Sequence, residues 1–388
     1  MGMIMIKTKR LYLVAAALLI FSVFVSCQSG GAGDKIEATD LTKETPDERE
    51  DEFEMAGQIW MSSFTPWALD ALDAWTQTRD GLDVLCVFID AVVNASDDEF
   101  ERFCALLKRT GLKLSVECAG ICDWYANLYA AGGDEFAYNS VYGDGGEFKR
   151  LGKKLKDNGV AIDYLNIDHG ILRGTNPADT PKAQMSTKEA AEQLYLAMKH
   201  WRNEFPDIKF NYIVNFPNHG WKGGFAYNHQ WNSDFFCGDF YEDFLEICRL
   251  NEETDIKMNA VIVDFPYNYA VGRMPTTFSR SKFDVRKYDW IERILDLEAE
   301  TKAAGMKFGL IFNSDIAEYG RRFTPEKYYA DTVEYLNLYI SRGGRPHYYI
   351  NESWYFFEGA HVPELLPETE RYTMTNLTLE FIKIVGRS

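Results

Sequence analysis

Eight times along the chain a short apolar, β-rich run gives way to a stretch whose apolar residues recur every three or four positions. The first periodicity is that of a buried strand and the second that of an amphipathic helix. The strand-like runs are 57–61, 83–89, 112–116, 162–167, 208–214, 259–263, 306–312 and 346–350. Helix signals follow each of them. Thr65-Pro66 reads as a cap and a first-turn proline, Ser96 to Glu99 and Ser186 to Glu189 as capping boxes, and Thr324-Pro325 as a further start. Phe100, Phe103, Leu106 and Leu107 then follow at helical spacing, and Phe148, Leu151 and Leu155 do so after the third run. Later helices are expected over 186–205, 240–250, 285–304, 324–342 and 372–385. Strict alternation of strand and helix, unbroken by a linker, predicts a single α/β domain over 53–388, a parallel (β/α)8 TIM barrel.

A second pattern lies on the first. A carboxylate or amide stands where seven of the apolar runs give out: Asp90, Glu117, Asp168, Asn215, Asp264, Asn313 and Glu352. In a parallel barrel these strand ends converge on one face, which is where such folds carry their chemistry. Hydrolysis of a glycosidic bond needs two carboxyl groups, one to protonate the leaving oxygen and one to act as nucleophile or to activate water. Asp168, Asp264, Glu117 and Glu352 are the candidates for that work, with Asp315 further out. Crowding them raises the pKa of at least one, as a general acid requires. His169, Asn215, Asn313 and Asp90 are candidate substrate contacts. Aromatics make up 15% of the chain, and many fall in the expected loops, among them Trp60, Tyr267 and Trp354 as stacking platforms for sugar rings. Packing under loops is the alternative role for each.

The N-terminus stands apart. Lys7, Lys9 and Arg10 precede an apolar run from Leu11 to Val25, and Ser26 then precedes Cys27. A small residue before a cysteine at the end of such a run resembles a bacterial lipoprotein signal, with Phe24 where leucine is preferred. The resemblance implies a signal over 1–26, a lipid-carrying Cys27 and location in the cell envelope; an ordinary cleaved signal or a membrane anchor is the alternative. The apolar-poor, Gly-, Thr- and Glu-containing stretch 27–52 is expected to be a flexible tether. The formal charge is −18, and loss of Lys7, Lys9 and Arg10 with the signal takes it to −21. A nucleic-acid backbone would be repelled. Membrane contact is expected through the anchor alone. Beyond Cys27 the cysteines are 86, 104, 118, 122, 237 and 248; the pairs 118/122 and 237/248 are open to disulfides, and Cys86 and Cys118 read as buried thiols. No CxxC pair or His-rich cluster suggests a metal, and no cofactor is expected. Glu117, Asp168 and His169 as cation ligands, in the manner of barrel sugar isomerases, are a further alternative.

Two families share features with the fourth run. Asp163-Tyr164-Leu165-Asn166-Ile167-Asp168-His169-Gly170 resembles the chitinase signature D-x-x-D-x-D-x-E, departing at Asn166 and at Gly170, where that family has its proton donor. Asp168 and Asp264 are similar in placement to the strand-4 nucleophile and strand-6 acid of the α-galactosidase-type barrels, with Asn166 where those have lysine. Asn313 at the end of the seventh run departs from the barrels that use two glutamates. The resemblance is to the (β/α)8 glycoside hydrolase-like superfamily. It implies a glycosidase acting on a polysaccharide or glycan, with Asp168 and Asp264 as the first choice of catalytic pair. A non-catalytic glycan-binding barrel is the alternative. Replacing Cys27 by Ala is expected to abolish membrane fractionation while leaving the domain folded; detergent-insensitive sedimentation of the variant would contradict lipid attachment.

Overall fold

Eight strands rich in Val, Ile, Leu and aromatic residues pair side by side in chain order and close into a ring. The computed structural model describes residues 57–121, 134–175, 185–216, 219–223, 238–273, 288–314, 324–353, 356–357, 360–361 and 364–387. The strands are β1 (Gln58–Ser63), β2 (Val84–Phe88), β3 (Lys113–Cys118), β4 (Tyr164–Asp168), β5 (Lys209–Asn215), β6 (Met258–Asp264), β7 (Lys307–Phe312) and β8 (Tyr348–Asn351). All neighbours are parallel, and β1 closes the barrel by pairing Trp60 with Val84 of β2 on one side and with Ile350 of β8 on the other. The helices that return the chain are α1 (Thr76–Gly81), α2 (Asp97–Thr110), α3 (Lys153–Asp157), α4 (Thr187–Glu204), α5 (Phe240–Glu253), α6 (Trp290–Ala303), α7 (Pro325–Ser341) and α8 (Met374–Val385). The expected (β/α)8 barrel is thus the fold, with strand ends within two residues of those read from the sequence.

Local chemistry explains most helix starts. Ser96 and Ser186 each form both halves of a capping box, with Glu99 and Glu189. Thr324 accepts from the Lys327 amide ahead of Pro325. Gly111 closes α2 at φ +69°, a left-handed turn that needs no side chain. The first return differs from expectation. Thr65 makes no cap; its amide donates to Ser63 Oγ (3.1 Å), and two 3-10 turns, Pro66–Asp70 and Leu72–Ala74, precede a short α1. The 148–155 stretch also departs, opening as a π-helix over Phe148–Gly152 before α3.

The period of two along each strand divides the apolar residues into separate cores. One lies between the ring and its helices, built from outward residues such as Leu85, Val116, Leu165, Val261 and Leu310 with Trp201, Trp290 and Phe381. The other fills the ring itself: Trp60, Val84, Cys86, Tyr164, Ile213, Ala260, Ile262, Ile311, Tyr348 and Ile350. Trp60 stacks on Tyr348 at 4.5 Å and lies 4.7 Å from Tyr164. Gly309 makes room for this, since a Cβ there would come within 3.3 Å of Tyr348. A chain of amides crosses the same interior. Asn211 donates to Asn166 (2.9 Å), and Asn259, at a bulge in β6, donates to Asn211 (2.7 Å) and to the Tyr348 hydroxyl (2.9 Å). The interior is therefore packed, so chemistry is confined to its ends.

Trp60 was expected at the mouth as a sugar platform, and its position corrects that. It points into the ring from the middle of β1, has no exposed surface, and donates its indole N–H to Gln58 (3.1 Å). Residues 1–26, Cys27, the 27–52 tether, Trp354 and Asp315 lie outside the described residues, as do Cys122 and Cys237. Replacing Trp60 by Ala is expected to cost about 3–5 kcal/mol of stability by opening a cavity in the ring, as measured by denaturant unfolding. A loss well under 1 kcal/mol would contradict its place in the core.

Candidate functional site at the carboxyl ends of the strands

Six of the seven polar strand ends share the inward phase of their strands. Glu117 follows inward Ser115, Asp168 follows Tyr164 and Asn166, Asn215 follows Asn211 and Ile213, Asp264 follows Ala260 and Ile262, Asn313 follows Ile311, and Glu352 follows Tyr348 and Ile350. Four carboxyl groups and two amides thus face one another above the apolar plug. Asp90 does not join them. It lies two residues beyond β2 in a short helix, Ile89–Val93, with its side chain two-thirds exposed and paired with Arg150. The end of β2 is instead Phe88, which stacks on Phe64 at 4.0 Å. The sequence reading had Asp90 closing the second strand, because the apolar run continues through Ile89, which is already the first residue of the helix.

Each strand end is fixed from behind. The buried Glu147 carboxylate accepts from the amides of Ala119 (2.6 Å) and Gly120 (3.0 Å), just beyond Glu117. Burial raises the Glu147 pKa, and those amides and Cys118 offset only part of the rise. Tyr328 of α7 donates to the Glu352 carbonyl, and the Ser353 amide donates to Ser62 Oγ (3.2 Å). Ser314, next to Asn313, bonds Asn268 (3.1 Å) and Asp331 (3.0 Å). The Tyr212 hydroxyl accepts from the Ile171 amide (3.3 Å) and reaches Asp243 (3.4 Å), tying the short helix after Asp168 to α5. Burial pushes the Asp243 pKa up to about 7. None of these supports was singled out in the sequence; Glu147, Tyr212 and Asp331 carry no signal there beyond being polar residues in helical or strand contexts.

The surroundings divide the four carboxyl groups. Burial opposes ionisation of Asp168, but His169 and Arg173 outweigh it and hold its pKa well below the usual carboxylate range. Arg173 donates from its guanidinium to the Asp168 carboxylate (2.8 Å) and carbonyl (3.0 Å), and His169 Nδ1 bonds the other carboxylate oxygen. His169 adopts φ +55°, a strained turn for a residue with a Cβ, and this swings its ring back onto its neighbour. Asp264 accepts from Asn215 Nδ2 (3.2 Å) and Asn313 Nδ2 (3.0 Å), one amide to each oxygen. Glu117 and Glu352 go the other way. Burial first, then the charges of Glu352, Asp168 and Asp264, raise Glu117 well above the usual range, with Arg173 pulling weakly back. Burial, Asp264 and Asp168 likewise raise Glu352. The same two glutamates help raise the Cys86 thiol, a buried free cysteine of the interior core, as the sequence reading had it.

His219, on the loop after β5, is part of this arc. Its ring stacks on His169 (centroids 5.2 Å apart, planes 20°), and its Nδ1 bonds the Asn215 carbonyl (3.0 Å). Burial and the His169 charge depress its pKa to about 3. Tyr267, an expected platform, is fully buried; its ring packs 5.9 Å from Tyr335 of α7 and its amide donates to the Asn313 carbonyl (3.0 Å), so it braces β7. Asn166, which stands where the two resembled families have Asp or Lys, is part of the interior amide chain. Among the described residues no three His, Cys, Asp or Glu side chains are placed to share a cation.

No family model and no curated protein matches the sequence. Among solved structures, the chain is similar to a β-glucosidase from Thermotoga maritima in complex with deoxynojirimycin (13% identity, 75% of this chain and 77% of that one, TM-score 0.40). It is also similar to an intracellular xylanase from Thermoanaerobacterium saccharolyticum (10%, 77% and 88%, 0.44) and to the YdjI aldolase from Escherichia coli K12 (10%, 87% and 95%, 0.41). A glucosidase and a xylanase stand beside an aldolase, and at this distance the likenesses carry no argument about activity.

A carboxyl whose folded pKa is raised binds its proton more tightly in the folded state, so it opposes folding increasingly as pH rises from the unfolded value of about 4.3 toward the folded one. Glu117→Gln removes that opposition. The variant is expected to melt above the wild type at pH 7 to 8, with the gap closing near pH 4, as read by thermal unfolding at both pH values. A variant that melts lower at pH 7 would contradict the raised pKa.

Proposed function

We propose that this barrel hydrolyses a glycosidic bond in a polysaccharide or glycan, with Glu352 as general acid and Asp264 as its ionised partner. The observation that carries the reading is the opposed treatment of these facing carboxyl groups. Glu352 is buried, and the nearby Asp264 and Asp168 charges favour its protonated form. Asp264 takes an amide N–H on each oxygen, bonds that an anion accepts and that fix its orientation. Asp168 was the first choice from the sequence as Asp264's partner. Its ion pair with Arg173 and His169 suits a fixed negative charge and leaves it no proton to give. We therefore give Asp168 an electrostatic role, stabilising positive charge as it develops on the sugar, and keep Glu117 as the second protonated carboxyl that maintains the low charge of the mouth.

In the reaction, the Glu352 proton passes to the leaving oxygen as its bond to the anomeric carbon breaks. A new bond to that carbon forms either from an Asp264 oxygen or from a water whose proton Asp264 accepts. A gap of about 5–5.5 Å between the two carboxyl groups corresponds to the first route and about 6.5–9.5 Å to the second. On the first route the water that later frees the sugar from Asp264 gives its proton to Glu352; on the second the water's proton ends on Asp264, and exchange with solvent returns both carboxyl groups to their starting states. The Cys27 reading places this activity on a lipid-anchored, envelope-facing protein, with the acidic 27–52 segment as spacer.

Reducing-end release from a panel of polysaccharides tests the proposal. Wild-type protein is expected to cleave at least one member. Glu352→Gln and Asp264→Asn are each expected to lower turnover by roughly 10²–10⁴-fold, the usual worth of acid–base catalysis, without loss of fold. Binding without cleavage by the wild type would replace the enzyme with a glycan-binding barrel, and near-normal turnover in both variants would show the pair to be misassigned.

A further inference from the structure

Four buried polar atoms at the mouth have no hydrogen-bond partner among the described residues: His169 Nε2, Asn215 Oδ1, His219 Nε2 and Asn313 Oδ1. They belong to one connected arc. His169 stacks on His219, His219 bonds the Asn215 carbonyl, and the Asn215 and Asn313 amides both hold Asp264. Buried polar atoms are satisfied with few exceptions, and each orphan costs about 1–3 kcal/mol, so four on one arc point to a ligand that completes them.

The hydrogen-bond partners fix what kind of atom three of them are. A backbone carbonyl has no hydrogen to give, so His219 Nδ1 carries the proton and Nε2 carries a lone pair. The depressed His219 pKa keeps it so throughout the ordinary pH range. The Asp168 carboxylate places a proton on His169 Nδ1 in the same way, and so fixes the ring with Nε2 turned away from Asp168. Both asparagines turn their N–H groups to Asp264, and so present their oxygens elsewhere. Three of the four orphans, Asn215 Oδ1, His219 Nε2 and Asn313 Oδ1, are acceptors, and the carboxylates of Asp168 and Asp264 beside them are of the same polarity.

We infer that the arc from β4 to β7 is a sugar subsite that reads hydroxyl groups as donors, and that it takes an uncharged, fully hydroxylated ring while rejecting rings that carry carboxylate or sulfate. The inference rests on the glycosidase reading of the same mouth and specifies its substrate class. Hydroxyl groups supply a donor to each acceptor and add no charge. An anionic ring offers lone pairs to lone pairs and sets its charge against Asp168 and Asp264, an arrangement that costs affinity through like-charge contact. His219 is the residue to test, because it lies outside the proposed acid and nucleophile.

Calorimetry on the full chain carrying Glu352→Gln, which removes turnover from the measurement, would use xylotetraose, cellotetraose, mannotetraose and galactotetraose against tetragalacturonate. At least one neutral tetrasaccharide is expected to bind and tetragalacturonate is not. Adding His219→Phe, which keeps the ring stack and removes the acceptor, should weaken neutral binding by roughly tenfold, the worth of one hydrogen bond. His219→Gln, which restores an amide acceptor, should recover part of the loss, and this separates a lost contact from a damaged fold. Tetragalacturonate binding as tightly as the neutral sugars, equal binding by the phenylalanine variant, or no binding by any member would each overturn the inference. Cleavage of a neutral glycan by the wild type would stand regardless of these results and belongs to the glycosidase reading.

Discussion

The mouth depends on what it costs to bring four carboxyl groups together out of water. Burial alone works against every charge there, and each additional charge works against the others. The molecule meets this cost unevenly. Asp168 is neutralised by Arg173 and His169, Asp264 is solvated by two amides, and Glu117 and Glu352 are left to hold their protons. A difference in protonation between neighbouring carboxyl groups, which acid–base chemistry needs, follows from that division.

The division relies on the barrel below it. Trp60, Tyr164 and Tyr348 plug the ring, and the Asn166–Asn211–Asn259 chain satisfies its polar atoms internally. Water is thereby kept from the underside of the site, and the inward phase of each strand is fixed, because a slip of one residue would turn its carboxylate into the helix layer. From outside, Glu147, Tyr328, Ser314 and Tyr212 each pin the backbone at or near a polar residue of the mouth. The site is held on strand ends and short braces.

The barrel was legible because its signal is repeated: eight alternations of period two and period 3.6 leave little choice of architecture. The ring of polar strand ends was legible for the same reason, and six of the seven residues sit on the inward phase. What failed did so for a local cause. Trp60 looks like a surface aromatic only if its inward phase on β1 is ignored, and Asp90 lies just two residues past the end of β2. The differing surroundings of the four carboxyl groups were not legible, since they depend on Arg173 and on amides from other strands, contacts with no sequence spacing of their own. His219 was hidden for a similar reason: its stack on His169 joins residues fifty positions apart.

The most direct test of this account is a carbon-13 NMR titration of the glutamate side-chain carboxyl groups, with Glu117→Gln and Glu352→Gln spectra providing the assignments. The account predicts that the two resonances lost in those variants titrate well above the ordinary glutamate range near 4.3. Titration of both within that ordinary range would contradict it, because the mouth would then hold four similar anions and no proton donor.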